Sequence, residues 1–366
     1  MNQQLKEVQN WLKENQLEAA YIHAPSDIAY FTNFHSDPHE RVLALFIFPD
    51  QEPFLFTPAL EVESAEQVVN FPVYGYLDSE NPWTIISEQL KNRGVQSRIA
   101  IQKDVFPVNR WEALKEALPT LTEAMDVSPL IQRMHLCKSQ EEIAIMMEAG
   151  KWADFAFEKG FSALQEGVSE QEVAAYLEYE LKKQGVHHMS FDTIVLFGAH
   201  AASPHGMPDT EHHLENHQLA LFDLGCMWNG YASDATRMAC YGEPTDRQRE
   251  IFDIVYEAQR RAQEAIRPGV TAGELDAIAR DYITSKGYGE YFTHRLGHGI
   301  GQQCHEFPSI VGGNDMVIEE GMCFSIEPGI YIPNEIGVRV EDCVHVTKDG
   351  SEAFTKLPKE LYIIKD

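Results

Sequence analysis

Three histidines fall within one short glycine-studded run, HRLGHGIGQQCHEF, which begins at His294 and also holds His298 and His305. Gly297, Gly299 and Gly301 lie between them, and glycine allows a close backbone approach that other residues block. Imidazole binds metals, shuttles protons near neutral pH and donates hydrogen bonds. Two further stretches supply carboxylates where a charge has no obvious structural use. In LALFDLGCMWNGYASDATRMA, Asp223 interrupts an apolar strand and Asp234 follows eleven residues later. A turn centred on Trp228–Asn229 would set these two directly opposite each other, with Cβ atoms about 4.5–5.5 Å apart. In GMCFSIEPGIYIPNEIGVRVEDCVHV, Glu327 and Glu341 are fourteen residues apart. A hairpin centred on Asn334 would bring them face to face, to within one residue of register.

Bare carboxylates held this close repel and titrate upward, and buried unpaired acids are rare. A divalent cation between them removes the penalty. Four carboxylates and one neutral imidazole from the histidine run carry four negative charges, which two divalent cations balance. Oxygen-rich coordination with one nitrogen suits manganese, cobalt or zinc in a working site, whereas structural zinc sites favour thiolates. Two such ions about 3.5–4 Å apart can share a water, lower its pKa and direct it at a carbonyl. The expected chemistry is hydrolysis.

The elements that must position these groups can be read from patterning. The chain has 366 residues, long enough for two domains. Residues 1–128 read as a small α/β domain: a helix in QQLKEVQNWLKEN, strands in AAYIH, RVLALFIF, EPFLFT, VYGYL and RIAIQ, and helices near 60–70, 82–93 and 109–118. The stretch 119–137 reads as a connection. Residues 129–366 read as an α+β domain with much antiparallel pairing. Four helix starts there have capping-box spacing, in which each side chain bonds the other residue's free backbone N–H: Ser139/Glu142, Ser169/Glu172, Thr245/Gln248 and Thr271/Glu274. Gly185, Gly269 and Gly287 fall where amphipathic stretches end.

Composition excludes several classes. The net charge is -28, from 29 basic and 57 acidic residues, which repels nucleic acid and anionic membranes. The longest apolar run, VLALFIF at 42–48, is far short of the roughly 20 residues that span a bilayer. The N-terminus lacks a signal-peptide core. Six cysteines without CxxC spacing read as buried thiols in a reducing cytoplasm. His135, His187, His188, His212, His213 and His217 read as ordinary surface residues.

FDLGCMWNGYASDATR, HRLGHGIGQQCHEFP, SIEPGIY and GVRVED together resemble the motif set of the metallopeptidase family that includes prolidase, aminopeptidase P, methionine aminopeptidase and creatinase. The resemblance covers nearly the whole chain. It implies an α/β creatinase/prolidase-like N-terminal domain followed by an α+β "pita-bread" catalytic domain. The first domain, with FTNFHSDPHERVLALFIF, looks most like that of bacterial Xaa-Pro dipeptidases. The ligand set implied is Asp223, Asp234, His298, Glu327 and Glu341, holding two divalent ions, manganese by preference. Glu327 would also take the proton of the metal-bridging water. His205, in SPHG, and His305 would be active-site histidines that bind no metal. His294 and Arg295 would contact substrate, and Arg339 would buttress a ligating carboxylate at the pocket. A homodimer is implied, in which the loop HSDPHER, with Arg41, closes over the partner's substrate. Two departures stand out: Met238 where relatives often have threonine, and SPHG where NPH is usual.

The implied reaction is hydrolysis of Xaa-Pro dipeptides. The bond before proline is a tertiary amide with no N–H, and the ring fixes φ away from the extended geometry many proteases grip. A two-metal site needs neither feature. The rivals are an Xaa-Pro aminopeptidase acting on longer peptides and a metal-free binding protein of the same fold.

Overall fold

In a computed structural model of the chain, which describes residues 3–365, two compact units divide between Met134 and His135. The first contains a six-stranded sheet in the order β4-β3-β2-β1-β5-β6. Its strands are β1 Ala19–Ile22, β2 Ala44–Ile47, β3 Phe54–Pro58, β4 Val73–Tyr76, β5 Arg98–Ile101 and β6 Glu123–Asp126. Helices α1 Gln3–Glu14, α2 Pro25–Thr32, α3 Val62–Glu66, α4 Pro82–Asn92, α5 Val108–Ala117 and α6 Ser128–Leu136 accompany it. The central strands β1 and β2 are buried throughout, which is why they read as continuous apolar runs. The α/β expectation holds. The expected boundary at 128/129 falls six residues early, because Leu130 and Ile131 of α6 pack into the core of the first unit. The stretch 119–137 is likewise more than a connection. It holds β6, an edge strand with little burial to mark it, and α6.

The second unit carries α7 Gln140–Ala163, α8 Glu170–Lys183, α9 Asp246–Glu264 and α10 Ala272–Ser285. All four begin with a complete capping box at the expected residues. Gly185 and Gly287 follow α8 and α10 with φ of 89° each, a conformation open to glycine at little cost.

The strands of this unit are β7 Ile194–Phe197, β8 Gln218–Leu224, β9 Met227–Trp228, β10 Tyr231–Ala232, β11 Ala235–Tyr241, β12 Gly297–Gly299, β13 Glu306–Ile310, β14 Cys323–Ile326, β15 Gly329–Ile332, β16 Ile336–Arg339, β17 Glu341–Val346, β18 Ser351–Ala353 and β19 Tyr362–Ile364. The large sheet runs β13-β12-β14-β17-β11-β8-β7, with β18 on β17 and β19 on β11. Two apolar clusters flank it, one built on α9 and α10 and the other on α7 and α8.

Register decides what the sheet can do. Thr236 pairs with Asp223 on one side and with Glu341 on the other. The β14–β17 ladder ends at Ile326↔Asp342, so one step further sets Glu327 opposite Glu341. Asp223, Thr236, Glu341 and Glu327 thus form a row across neighbouring strands, on one face. The expectation for Glu327 and Glu341 is correct. That for Asp223 and Asp234 is not. Trp228 pairs with Tyr231, so the turn is Asn229–Gly230, both at positive φ. Asp234 lies in the break between β10 and β11, two residues before Thr236 and on the same face. None of the described helices is long and apolar enough to cross a membrane.

Candidate metal centre

A cavity of about 370 Å³ opens on this face, within the usual range for small-molecule sites. Every site residue named from the sequence lines it except Arg41. Arg41 belongs to the first unit, where its Nε and Nη2 donate to Asp78 at 2.8 and 2.9 Å.

Asp223, Asp234, His298 and Glu341 are all buried. His298 stands on β12 with its Nε2 3.2 Å from Glu327 Oε1 and 3.5 Å from Asp234 Oδ2. Its Nδ1–H donates to the Gly299 carbonyl at 3.1 Å, which turns Nε2 toward the acids. Ligand atoms of His298, Glu327 and Glu341 lie within 4.8 Å of one another, and so do those of Asp234, Glu341 and Cys343.

The carboxylates are held from behind. Thr236 Oγ1 donates to Glu341 Oε2 at 2.7 Å, and Ser325 Oγ to Glu327 Oε1 at 3.1 Å. Cys304 Sγ–H donates to Asp234 Oδ2 at 3.2 Å. Arg339 donates to Asp223, to Thr236 Oγ1 at 3.1 Å and to Tyr331 Oη at 2.8 Å. Two oxygens are left over. Asp223 Oδ1 and Glu341 Oε1 are buried and have no hydrogen-bond partner among the described residues, a costly state for any carboxylate.

The electrostatics follow. Burial, then the charge of Asp223, pushes Asp234 up to about 8. Burial and the neighbouring acids push Glu341 well above the carboxylate range. Asp223 is also raised, because burial outweighs Arg339. Glu327 goes the other way. Burial opposes its charge, but the hydrogen bond and charge of His298 prevail and hold it at about 2. The chain alone cannot keep all four acids ionised. Divalent cations would, and two carboxylate oxygens and one imidazole nitrogen face the space they would take. Oxygen and nitrogen donors of this mix fit manganese, cobalt or zinc.

Around the cluster, His305 lies with its ring centroid 4.1 Å from that of His298. Partial burial and the neighbouring positive charges of His298 and Arg295 hold it neutral down to about 4. His294 gives its Nδ1–H to the Arg295 carbonyl at 2.7 Å, and its Nε2 accepts from Tyr331 Oη at 3.0 Å. Arg295 reaches Ser309 at 3.3 Å. His205 lies in the segment after the 3-10 turn Gly198–Ala202, exposed on the cavity wall. Sequence reasoning missed Thr236, Ser325, Tyr331 and Cys304. The only signal was parity: Thr236 and Ser325 each stand two residues from an acid that had been singled out.

The model of metallopeptidase family M24 matches residues 144–348, and that of the creatinase/prolidase N-terminal domain matches 4–137. The chain is 52% identical to an Xaa-Pro dipeptidase of Lactobacillus helveticus over 98% of both chains. It is 50% identical to one from Lactobacillus delbrueckii subsp. lactis, again over 98% of both. The prolidase of Pyrococcus horikoshii OT3 superposes with a TM-score of 0.92 at 36% identity, covering 98% of this chain and all of its own.

Proposed function

From the premise that this chain belongs to metallopeptidase family M24, and is therefore an enzyme, we propose that it is an Xaa-Pro dipeptidase whose Asp223, Asp234, His298, Glu327 and Glu341 hold two divalent ions, manganese first among them. The observation that carries the reading is the pair of buried, unpartnered oxygens, Asp223 Oδ1 and Glu341 Oε1, beside an imidazole whose Nε2 faces the acids. The two Lactobacillus relatives supply the substrate class. The free cysteines, five of the six buried and Cys137 exposed, fit a reducing cytoplasm.

Bound metal ions supply Lewis acidity toward a carbonyl and an activated water. The rest falls to the chain. Glu327, with Oε1 3.2 Å from His298 Nε2 at the cavity wall, would accept a proton from the attacking water and return it to the departing proline nitrogen. That return replaces the N–H that the tertiary amide lacks. His305, neutral in the cavity wall, offers an N–H to the oxygen where charge develops. His205 faces the same cavity. Arg295 meets the terminal carboxylate of a dipeptide, and His294, its ring nitrogens held by the Arg295 carbonyl and Tyr331, packs against the substrate beside it. Arg339 acts from behind Asp223 as a positioning residue.

The test is a chelated and then manganese-reloaded enzyme assayed on Ala-Pro and Ala-Pro-Ala. Reloading with two ions per chain should restore cleavage of Ala-Pro that chelation abolishes. Cleavage of the tripeptide alone would replace the dipeptidase reading with an aminopeptidase one. No cleavage of either by the reloaded enzyme would overturn both.

A further inference from the structure

Away from the cavity, the second unit gathers another set of metal-binding side chains. Glu170 opens α8, His200 sits in the 3-10 turn Gly198–Ala202, and Asp209 and His212 come from the loop that follows. One ligand atom from each lies within 4.8 Å of every other. His200 Nδ1 is 2.9 Å from Glu170 Oε2, and His212 Nδ1 is 2.9 Å from Asp209 Oδ2. The two imidazoles stack with centroids 4.0 Å apart and planes 13° from parallel. Each imidazole turns its Nδ1 to its own carboxylate, and the four groups stay within 4.8 Å of one another.

The arrangement is built rather than incidental. The Glu170 side chain is 0% exposed, and its Oε1 is fixed by the Phe197 N–H at 2.7 Å. His212, at the other extreme, is half exposed, which leaves an entry path. Two stacked imidazolium rings would repel each other. Two neutral imidazoles with two carboxylates carry two negative charges, which one divalent cation balances. Two nitrogens and two oxygens form a donor set that zinc takes as four-coordinate. A tetrahedron with bonds of about 2.1 Å has edges of about 3.4 Å, so the present nitrogen–oxygen contacts need open by only about half an ångström. The residues come from three separate places in the chain, and they bracket the segment 200–212. In its middle, Pro204, His205 and Met207 line the cavity.

We propose that Glu170, His200, Asp209 and His212 bind one further divalent ion, zinc by their chemistry, which pins the cavity wall carried by residues 200–212. The ion would touch neither substrate nor reacting atoms, so the four are positioning residues. The sequence reading of His212 as an ordinary surface residue is revised accordingly.

The test counts zinc per chain after equilibrium dialysis of the full-length protein and of its Asp209→Asn and His212→Ala variants. His212 is exposed and Asp209 half-buried, so His212→Ala keeps the test decisive should Asp209→Asn loosen the loop. The wild type should retain one zinc more than either variant. That difference does not depend on how many ions the main cluster takes, so it fails or survives separately from the two-metal reading. Equal counts would overturn the proposal and leave two ordinary histidine–carboxylate hydrogen bonds. A kinetic arm rests on the proposed dipeptidase activity. Loss of the ion should raise KM for Ala-Pro by about tenfold, as for other supporting residues, and change kcat by less than twofold. Loss of the ion with KM unchanged would overturn the pinning role.

Discussion

The two faces of β17 bury acids in opposite ways. Asp342 points to one side and meets cations: Arg237 Nη2 at 2.7 Å and Lys359 Nζ at 2.8 Å, with Thr355 Oγ1 donating at 2.7 Å. Burial alone would raise it, yet Arg237 and Lys359 hold it below the usual carboxylate range. Glu341, the preceding residue, points to the other side. It meets Thr236, three other acids and no hydrogen bond at Oε1. An acid that builds the fold comes with its cation, because an unpaired buried charge costs several kcal/mol. An acid that is left short of a cation, in a sheet this well packed, is kept for a cation from outside.

The sharpest way to break that contrast is Glu341→Gln. We expect kcat/KM for Ala-Pro to fall by more than about 100-fold, beyond the 10–100-fold typical of supporting residues, with bound metal lost in elemental analysis. In the metal-free protein the same change relieves repulsion, so its melting temperature should equal or exceed that of the metal-free wild type. A metal-free variant melting well below the wild type would make Glu341 a fold-building residue like its neighbour.

Arg237→Met is the mirror experiment. It strips Asp342 of its main cation, although Lys359 remains. Urea unfolding of the second unit should show a loss of about 3 kcal/mol, the low end for breaking a buried pair. Metal bound per folded chain should be unchanged. Loss of metal with stability intact would merge the two faces into one site.

The sequence exposed this contrast only in part. Glu327 and Glu341 were legible because two ladders share one register through the turn at Asn334. Asp223 and Asp234 line one cavity, but they are not opposite each other across the strands. The signal was present: Asn-Gly is a favoured two-residue hairpin turn, and a turn at Asn229–Gly230 gives the observed pairing of Asp223 with Thr236. Arg237 and Asp342 passed unnoticed, because nothing in VRVED or DATRM says which acid has a cation waiting across the sheet. The helix starts were readable since a capping box is local. β6 was not, because an exposed edge strand has no pattern to show.

Thr236→Val should give a smaller effect. Its hydroxyl lies between the two kinds of contact, donating to Glu341 Oε2 at 2.7 Å and accepting from Arg339 Nε at 3.1 Å. The valine keeps the shape and removes both bonds. Metal affinity should drop by about 10–100-fold in a competitive chelator titration, and activity should recover at saturating metal. No change in affinity would mean that Glu341 needs no support to face the cavity.

The first unit offers a third way to bury a titratable group, which is to keep it neutral. His23 accepts at Nδ1 from Arg110 Nη1 at 3.1 Å and lies edge-on to Phe106, 5.4 Å between centroids. Burial, then the charge of Arg110, pulls it down to about 4. Between that value and the unfolded value of about 6.5, the unfolded chain takes up a proton that the folded unit refuses. The contribution to stability is therefore complete above about pH 6.5 and fades as the pH falls toward 4. His23→Gln should flatten the dependence of first-unit stability on pH across that window, while the second unit keeps its own profile. Identical slopes for variant and wild type would mean that His23 titrates like a free imidazole and that burial beside Arg110 costs the folded unit nothing.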